Sequence, residues 1–494
     1  MRATVVRQYE SKLPANDPHP YRTGPWTPNT VEIDASELDL VAGEIPRELA
    51  GVYLRNTENP LFDAISGRYH PFDGDGMIHA IRFEDGKASY RNRFVKTAGL
   101  VAELEAGAAL WAGILERPAL SKRDGWGARP RMKDASSTDV IVHARRAITT
   151  FYQCGDPYLL DPTTLDTVGV AKLHHPSFGK GTTMSAHPTV DEATGELLFF
   201  NYSCEAPYCH VGIADATGAL VRTIPVPLPG PRLPHDMAFT PRFAILGDFP
   251  YFYEPEKMAQ GVYHAKYYPE LGSRFALVPR DGSPIRWFEA SPTYVLHWVN
   301  AYEEGDEVVL EGYHQGAPVP AHSKTDTAIS LFMKSLDTHS LETRLHRWRF
   351  DLKTGKTREE QISDQCTEFP SIHSGFGGRK HRYVYEMLGE PGFFLFNGLQ
   401  RTDMATGRKS THMFPKGVFA SESPFCPRPG ATEEDDGWVV TFTIDVAGDC
   451  SECQIFDAKD IAAGPIARVR LPMRISSGTH ATWAPLSAIG GTPD

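Results

Sequence analysis

Four histidines that lie far apart in the chain are the residues best suited to do chemistry. They are His187 in SAHPTVD, His235 in LPHDMAF, His297 in VLHWVNAYEEGD and His480 in SGTHATW. Neutral imidazoles bind late first-row divalent metals, and a set of four suits iron(II) with open coordination positions. A zinc finger or a helical HExxH site is excluded, because those sites take their ligands from short local motifs.

Each of these histidines stands in or beside apolar or small residues of the kind found at strand ends. Strand ends that are so remote in sequence can meet at one point when a fold is built around an axis. The four positions therefore predict a metal centre on the axis of a large β fold.

A hairpin signature recurs between runs of strand-forming residues. Four turns begin with Asp and end with Gly, at 191–195, 215–218, 351–355 and 403–407. The Asp carboxylate can cap such a turn, and Gly can take the positive φ that closes it. The runs 197–203, 346–352 and 438–444 carry strand-type residues. The pattern predicts an all-β fold, although periodicity alone leaves a propeller, a sandwich and a barrel open.

Residues 97–118 interrupt the β pattern, because they are rich in Ala, Leu and Glu and end at Pro118. We expect a helix here, with an apolar face formed by Leu100, Leu104, Trp111, Ile114 and Leu115. Two interpretations stay open for this segment. It is a cap over the core, or it is a lid or peripheral membrane contact that admits a lipophilic substrate, although it lacks the usual Lys and Arg.

Composition sets broader limits. The chain has 494 residues, of which 41% are hydrophobic and 23% charged, so it can bury a large core. Pro and Gly are spread evenly, which favours a single domain over 1–494 with an N-terminal extension of about 1–30. The net charge of −12, without runs of Lys or Arg, argues against a nucleic-acid partner.

The seven cysteines are sparse and odd in number, which favours reduced thiols and a cytoplasmic location. The start of the chain shows no apolar signal core, and no segment reads as a membrane span. The lone pair Cys450 and Cys453 is a weak zinc or redox candidate. The acids of FDGDGM (72–77) do not complete a calcium loop, so this segment predicts a tight hairpin.

Along nearly its whole length, the sequence resembles the carotenoid cleavage oxygenases. This family also includes stilbene-cleaving enzymes and the retinal-pigment-epithelium isomerase. The resemblance is carried in order by GVYLRNTENP (51–60), HPFDGDGMIHAIRFEDGKASYRNRFVKT (70–97), the histidine segments and LPMRISSGTHATW (471–483). It implies a seven-bladed β-propeller in which a few helices and loops cap an axial site. It also implies Fe(2+) as the cofactor, held by His187, His235, His297 and His480.

The resemblance further implies carboxylates behind the ligands, which fix each imidazole by accepting from its far nitrogen. Glu368 in TEFP and Glu422 in SESPF match two family glutamates and should support His297 and His480. The third glutamate position falls on Gln153, which could still accept from His235 but carries no charge. We expect metal binding to survive, with a lower affinity or a shifted potential.

Two further residues match family positions near the substrate, and one residue of the hairpin at 72–77 is a candidate for the tunnel wall. Thr138 in SSTDVIVH matches a threonine whose methyl group crowds one open metal position, and Phe72 is a candidate wall residue. Tyr152 stands where stilbene-cleaving and isoeugenol-cleaving relatives have a lysine that engages the substrate phenol. A tyrosine hydroxyl can bond a phenol but lacks the positive charge.

The expected function is an iron(II) oxygenase that uses O2 to cleave a C=C bond of an apocarotenoid-type polyene into two carbonyl products. The alternative substrate class is stilbenoids or phenylpropanoids, and in either case the partner is a lipophilic alkene. Three other interpretations stay open: an isomerohydrolase, a non-catalytic binding propeller and a zinc hydrolase.

Overall fold

A computed structural model describes residues 1–490, which are built mainly from strands joined by turns. The last four residues of the predicted domain, 491–494, lie outside the described part. The strands of the first part of the chain are β1 (Arg2–Gln8), β2 (Val31–Glu37), β3 (Asp39–Gly43), β4 (Gly51–Asn59), β5 (Asp75–Glu84), β6 (Lys87–Phe94), β7 (Asp139–His143), β8 (Arg146–Thr150), β9 (Tyr158–Leu160), β10 (Thr167–Val170), β11 (Thr189–Asp191), β12 (Glu196–Tyr202), β13 (Cys209–Ala214) and β14 (Leu220–Pro225).

The later strands are β15 (Met237–Phe239), β16 (Phe243–Asp248), β17 (Tyr251–Tyr253), β18 (Ala265–Tyr267), β19 (Ser273–Pro279), β20 (Arg286–Ala290), β21 (Val295–Glu304), β22 (Glu307–Gln315), β23 (Thr343–Asp351), β24 (Thr357–Ser371), β25 (Tyr383–Gly389), β26 (Phe396–Asp403), β27 (Lys409–Met413), β28 (Val418–Phe419), β29 (Phe425–Pro427), β30 (Gly437–Asp445), β31 (Cys450–Asp457), β32 (Pro465–Arg470) and β33 (Gly478–Pro485). The α-helices are α1 (Ala98–Ala106), α2 (Pro255–Ala259), α3 (Ala328–Lys334) and α4 (Leu486–Ile489). The 3-10 turns are Pro20–Arg22, Gly24–Trp26, Pro71–Asp73, Pro118–Leu120, Pro269–Leu271, Ser374–Phe376 and Ile461–Ala463.

All strands except the β17-β18 hairpin form the seven blades of a β-propeller, as predicted. Blade 1 has the order β33-β4-β5-β6-β2-β1, and blades 2 and 3 are β7 to β10 and β11 to β14. Blade 4 is β15-β16-β19-β20, and blade 5 is β21 to β24. The long strand β24 continues from blade 5 into blade 6, which β25 to β27 complete. Blade 7 contains β28, β29, β30, β31, β32 and β3.

Both ends of the chain close the ring. The early strand β3 pairs with β32 in blade 7, so that Leu40 lies opposite Val469. The late strand β33 pairs with β4 in blade 1, so that Trp483 lies opposite Tyr53. Residues within 1–30 contribute β1, which extends the outer edge of blade 1 through β2. Pairing both ends into blades leaves few free sheet edges and stiffens the frame around the axis.

Aromatic residues fill the spaces between and within blades. Phe442 of blade 7 packs edge-on against Tyr53 of blade 1, with ring centroids 4.6 Å apart. Trp348 of blade 5 packs against Phe275 of blade 4 at 5.5 Å. Truncating such a buried aromatic residue to Ala typically costs about 3–5 kcal/mol. This packing holds the inner strands, and therefore the axial residues, in fixed positions.

The predicted Asp-to-Gly turns connect strands as expected. In the turn between β11 and β12, Asp191 accepts a hydrogen bond from the backbone N–H of Ala193 at 3.1 Å. Gly195 closes that turn with a φ of 72°. The turns at 215–218, 351–355 and 403–407 likewise join consecutive strands of one blade.

The predicted helix over 97–118 is too long. Thr97 caps α1 by accepting from the N–H of Leu100 at 2.9 Å, and Gly107 ends it with a φ of 64°. A glycine in the left-handed conformation commonly ends a helix, and α1 ends at Gly107 rather than at Pro118. Consequently Trp111, Ile114 and Leu115 are not on the helix, and the predicted five-residue apolar face does not form.

Within residues 1–490, no helix is both long and apolar enough to span a membrane. All seven cysteines are free thiols. Cys450 and Cys453 lie on one strand, β31, and make no disulfide. The location of the protein in the cell stays a prediction.

Candidate metal centre

The fold brings the four predicted histidines together on the axis. Ring nitrogens of His187, His235 and His297 all lie within 4.8 Å of one another. His480 joins them, because its ring centroid is 4.5 Å from that of His187 and 4.8 Å from that of His297. Residues nearly 300 positions apart thus form one cluster.

Inner strands of four blades position these side chains. His187 and His235 lie just before β11 and β15, the first strands of blades 3 and 4. His297 and His480 are the third residues of β21 and β33, in blades 5 and 1. His187 has a φ of 63°, a conformation that costs a non-glycine residue about 1–3 kcal/mol. Its backbone N–H donates to Asp139 at 3.1 Å, which helps to hold that conformation.

Two glutamates lie behind two of the histidines, where the resemblance places them. Glu368 lies 2.5 Å from Nδ1 of His297, and Glu422 lies 3.1 Å from Nδ1 of His480. Each carboxylate accepts from an Nδ1–H, so it fixes the tautomer and leaves the lone pair on Nε2.

The nitrogen atoms that face the cluster fit a metal ion. Nε2 of His187 and Nε2 of His297 are buried and have no hydrogen-bond partner among the described residues. Buried polar atoms are nearly always satisfied, so two such atoms in one cluster require an explanation. Four convergent imidazoles supply the donor set that iron(II), cobalt(II) or similar ions take.

Burial keeps most of these imidazoles neutral. It lowers the pKa values of His187, His235 and His480 well below the ordinary range, and the neighbouring histidines lower them further. Burial also acts to lower the pKa of His297, but the carboxylate of Glu368 outweighs it, so that this pKa is raised. A neutral imidazole is the form that binds a metal.

Two aspartates that no sequence motif had singled out lie beside the cluster. Asp139 follows Thr138 and accepts from the backbone N–H of His187, as described above. Asp236 follows His235 and accepts from the backbone N–H of Trp298, next to His297, at 2.8 Å. Their acidic type directly after two predicted site residues was the only available signal. Burial raises the pKa of Asp139 to about 6 and that of Asp236 to about 7.

One side of the cluster faces an aromatic cavity of about 110 Å³. The lining contains His235, His297 and His480 but no Asp, Glu, Lys or Arg. The lining residues outside the histidines are Phe72, Thr138, Tyr152, Tyr251, Tyr294, Leu296, Gln315, Pro318, Ser335, Leu336, Leu341, Phe369, Phe394 and Thr479. We call this space the aromatic cavity.

The structure places the three predicted substrate-side residues on this wall. The ring of Phe72 lies 5.8 Å from that of Tyr152, whose ring lies 5.9 Å from that of His235. Thr138 uses its hydroxyl to accept from the backbone N–H of Tyr152 at 3.2 Å. Burial raises the pKa of Tyr152 well above its usual range, so its hydroxyl stays protonated at neutral pH.

Gln153 is buried, and it makes a hydrogen bond that the sequence did not indicate. Its Oε1 atom accepts from the hydroxyl of Tyr253 at 3.5 Å. Within residues 1–490, no hydrogen bond joins Gln153 to His235. The proposed support of His235 by Gln153 therefore stays a prediction, with Tyr253 as an additional neighbour that the sequence did not indicate.

Residues 97–118 lie away from the aromatic cavity, since none of them belongs to its lining. Several of them, including Trp111 and Glu116, line a separate cavity of about 40 Å³. There Lys133 pairs with Asp75 and Glu103, each at 2.6 Å. Asp75 of FDGDGM is thus used in a buried ion pair.

The other side of the cluster faces a polar cavity of about 270 Å³, which we call the acid-lined channel. His187 and His480 lie in its lining together with Asp139, Asp236 and Glu422. Ser374, which is exposed, also belongs to the lining and marks an opening to solvent. The histidines therefore stand between two cavities of different chemistry.

Comparisons with known proteins agree with this architecture. Residues 26–485 match the family model described as retinal pigment epithelial membrane protein. The chain is 30% identical to a carotenoid 9,10(9',10')-cleavage dioxygenase of Phaseolus vulgaris, over 96% of this chain and 90% of that protein. It is similar to the crystal structure of Pseudomonas brassicacearum lignostilbene dioxygenase, with a TM-score of 0.82, 25% identity and coverage of 97% and 99% of the two chains. A cobalt-substituted apocarotenoid oxygenase of Synechocystis is also similar, with a TM-score of 0.77, 27% identity and coverage of 92% and 96%.

Proposed function

The chain belongs to the retinal pigment epithelial membrane protein family, and from that membership and its histidine centre we propose that it is an iron(II)-dependent, alkene-cleaving oxygenase. Its reaction uses O2 to cleave a C=C bond of an apocarotenoid-type polyene into two carbonyl products. The observation that carries the proposal is the position of His235, His297 and His480 at the wall of an uncharged aromatic cavity. When bound, iron(II) supplies the redox chemistry that O2 requires.

The chain's own residues supply binding, orientation and exclusion of water. Phe72, Phe369 and Phe394 give the cavity apolar surfaces that accept a conjugated chain. An elongated substrate held between such rings presents one bond to the centre, which lowers the entropic part of the barrier. Thr138 narrows the space beside the histidines and favours one approach of the alkene.

A stilbenoid is the second candidate substrate, because a lignostilbene dioxygenase is among the similar structures. Tyr152 offers a neutral hydroxyl to a phenol, which can hydrogen-bond but cannot stabilise a phenolate as a cation would. This favours a polyene over a phenolic alkene. The apolar lining of the cavity suits both candidate substrates.

Aerobic incubation with an apo-carotenal and, separately, with a 4-hydroxystilbene tests the proposal. Products are identified by mass spectrometry, and iron is quantified in the same sample. Aldehyde from the apo-carotenal alone is the expected result, and metal-stripped protein is the control. If aldehydes form from the stilbene alone, the substrate is a stilbenoid rather than a polyene. Iron-loaded protein that cleaves neither substrate would contradict both, and protein that binds no metal would favour a non-catalytic propeller.

A further inference from the structure

We propose that the acid-lined channel is the route by which the metal cation reaches the histidines, and that the aromatic cavity is not that route. The inference rests on the proposed metal centre. It assigns a role to Asp139 and Asp236, which lie outside the ligand set.

The position of the channel gives direct access to the cluster. His187 lines the channel but not the aromatic cavity, whereas His480 lines both. The unpartnered Nε2 of His187 is buried at this junction. An ion that travels along the channel therefore meets an available imidazole nitrogen before it meets the aromatic wall.

The two cavities offer a cation different partners. The channel lining contains three acids, Asp139, Asp236 and Glu422, and neither Lys nor Arg. Divalent cations take carboxylate oxygens as ligands, so these side chains can replace water that the ion loses on entry. The aromatic cavity has no charged residue in its lining, so a divalent cation would lose hydration there without compensation.

Glu422 keeps one carboxylate oxygen free in the lining of the channel. Its Oε2 atom accepts from Nδ1 of His480 at 3.1 Å and from the N–H of Ala481 at 2.6 Å. Its Oε1 atom makes no hydrogen bond within the described residues, and the side chain is 18% exposed. Carboxylate oxygens are ligands of divalent cations, so the free Oε1 can contact an ion in the channel while Oε2 holds the ring of His480.

Two serines give a matched pair of variants. Ser374 lies in the lining of the channel and Ser335 in that of the aromatic cavity, and both are exposed. Apoprotein of Ser374→Lys, Ser335→Lys and wild type is mixed with Co²⁺ at low salt. Uptake is followed by the growth of cobalt absorption and the final content by elemental analysis. This measurement does not depend on any alkene substrate.

We expect Ser374→Lys to slow cobalt uptake about threefold or more, since it adds a positive charge to the mouth of the channel. Ser335→Lys and the neutral Ser374→Gln should take up cobalt at the wild-type rate. Ser374→Glu should speed uptake, which a folding defect would not do. All variants should reach the same final cobalt content.

Slower uptake in Ser335→Lys with no change in Ser374→Lys would overturn the proposal, and so would equal rates in every variant. Wild-type protein that binds no cobalt at equilibrium would remove the metal centre itself, and with it the proposed function. If cobalt uptake depends on the channel as expected but the protein cleaves no alkene, the proposed route of the metal is supported. That result contradicts only the proposed activity.

Discussion

Oε2 of Glu368 lies 2.5 Å from Nδ1 of His297, so a carboxylate in the blade 6 part of β24 fixes the orientation of a histidine in blade 5. Glu368→Gln replaces the charged acceptor by an amide of the same shape. Removing such a partner typically lowers metal affinity about 10–100-fold. We expect weaker cobalt binding in an equilibrium titration. The exposed Glu433→Gln is the control, and an unchanged affinity in Glu368→Gln would show that His297 needs no charged support.

Gln153→Glu introduces a charge behind the cluster. The new carboxylate would lie near Tyr253, whose hydroxyl already donates to Oε1 at 3.5 Å. We expect activity to be retained and metal affinity to rise, because a carboxylate strengthens a nearby imidazole ligand more than an amide does. Metal content after dialysis against graded chelator measures the effect. Complete loss of activity would mean that the neutral side chain has a specific role.

Tyr152→Lys places a cation beside Phe72 in the aromatic cavity. A lysine can stabilise a phenolate, but it adds a desolvation cost for an uncharged polyene. We expect the ratio of kcat/KM for 4-hydroxystilbene to that for apo-carotenal to rise at least tenfold, or about 1.4 kcal/mol in relative barrier. Tyr152→Phe serves as the control for loss of the hydroxyl. A ratio that stays constant in Tyr152→Lys would argue against contact between this position and the substrate.

Two single variants can distinguish the role of the Thr138 methyl group from that of its hydroxyl. Thr138→Ser keeps the hydroxyl that accepts from the N–H of Tyr152 but removes the methyl group. Thr138→Val keeps the methyl group and loses the hydrogen bond, at a cost to stability of about 1 kcal/mol. If the methyl group guides the alkene, Thr138→Ser should give additional cleavage products while Thr138→Val keeps the wild-type pattern. Mass spectrometry of the products decides between them, and the reverse result would assign the role to the hydroxyl.

His79 makes the stability of blade 1 depend on pH. Its ring is buried between the hydroxyls of Thr57 at 2.9 Å and Tyr90 at 2.6 Å, and burial lowers its pKa to about 3. Because an unfolded histidine has a pKa of about 6.5, the unfolded chain binds the proton first as pH falls. The stabilisation is complete above about pH 6.5 and decreases between there and about pH 3.

The comparison of wild type with His79→Gln isolates this effect. The free energy of unfolding of wild type, relative to the variant, should decrease by about 2 kcal/mol from pH 7 to pH 5. Denaturant titrations at the two pH values measure it. A difference that does not change with pH would show that His79 takes up a proton as readily in the folded protein as in the unfolded chain.

The sequence by itself determined the parts of this protein that local chemistry encodes. The Asp-to-Gly turns specify hairpins because the carboxylate cap and the positive φ of Gly need only neighbouring residues. The resemblance carried by ordered motifs indicated His187, His235, His297 and His480, and the propeller brings these four residues together. Glu368 and Glu422 followed from the same motifs, and each lies behind the histidine expected for it.

Only the tertiary structure decided which remote groups meet. The contact of Gln153 with Tyr253 and that of Asp236 with the backbone of Trp298 join different parts of the chain. The periodicity of the sequence does not predict such contacts, because they depend on how separate blades face one another. The end of α1 at Gly107 was visible in the sequence, yet it competed with a helical composition that continued to Pro118. The two cavities on either side of the histidines likewise exist only when seven blades close around one axis, since each lining draws on several blades.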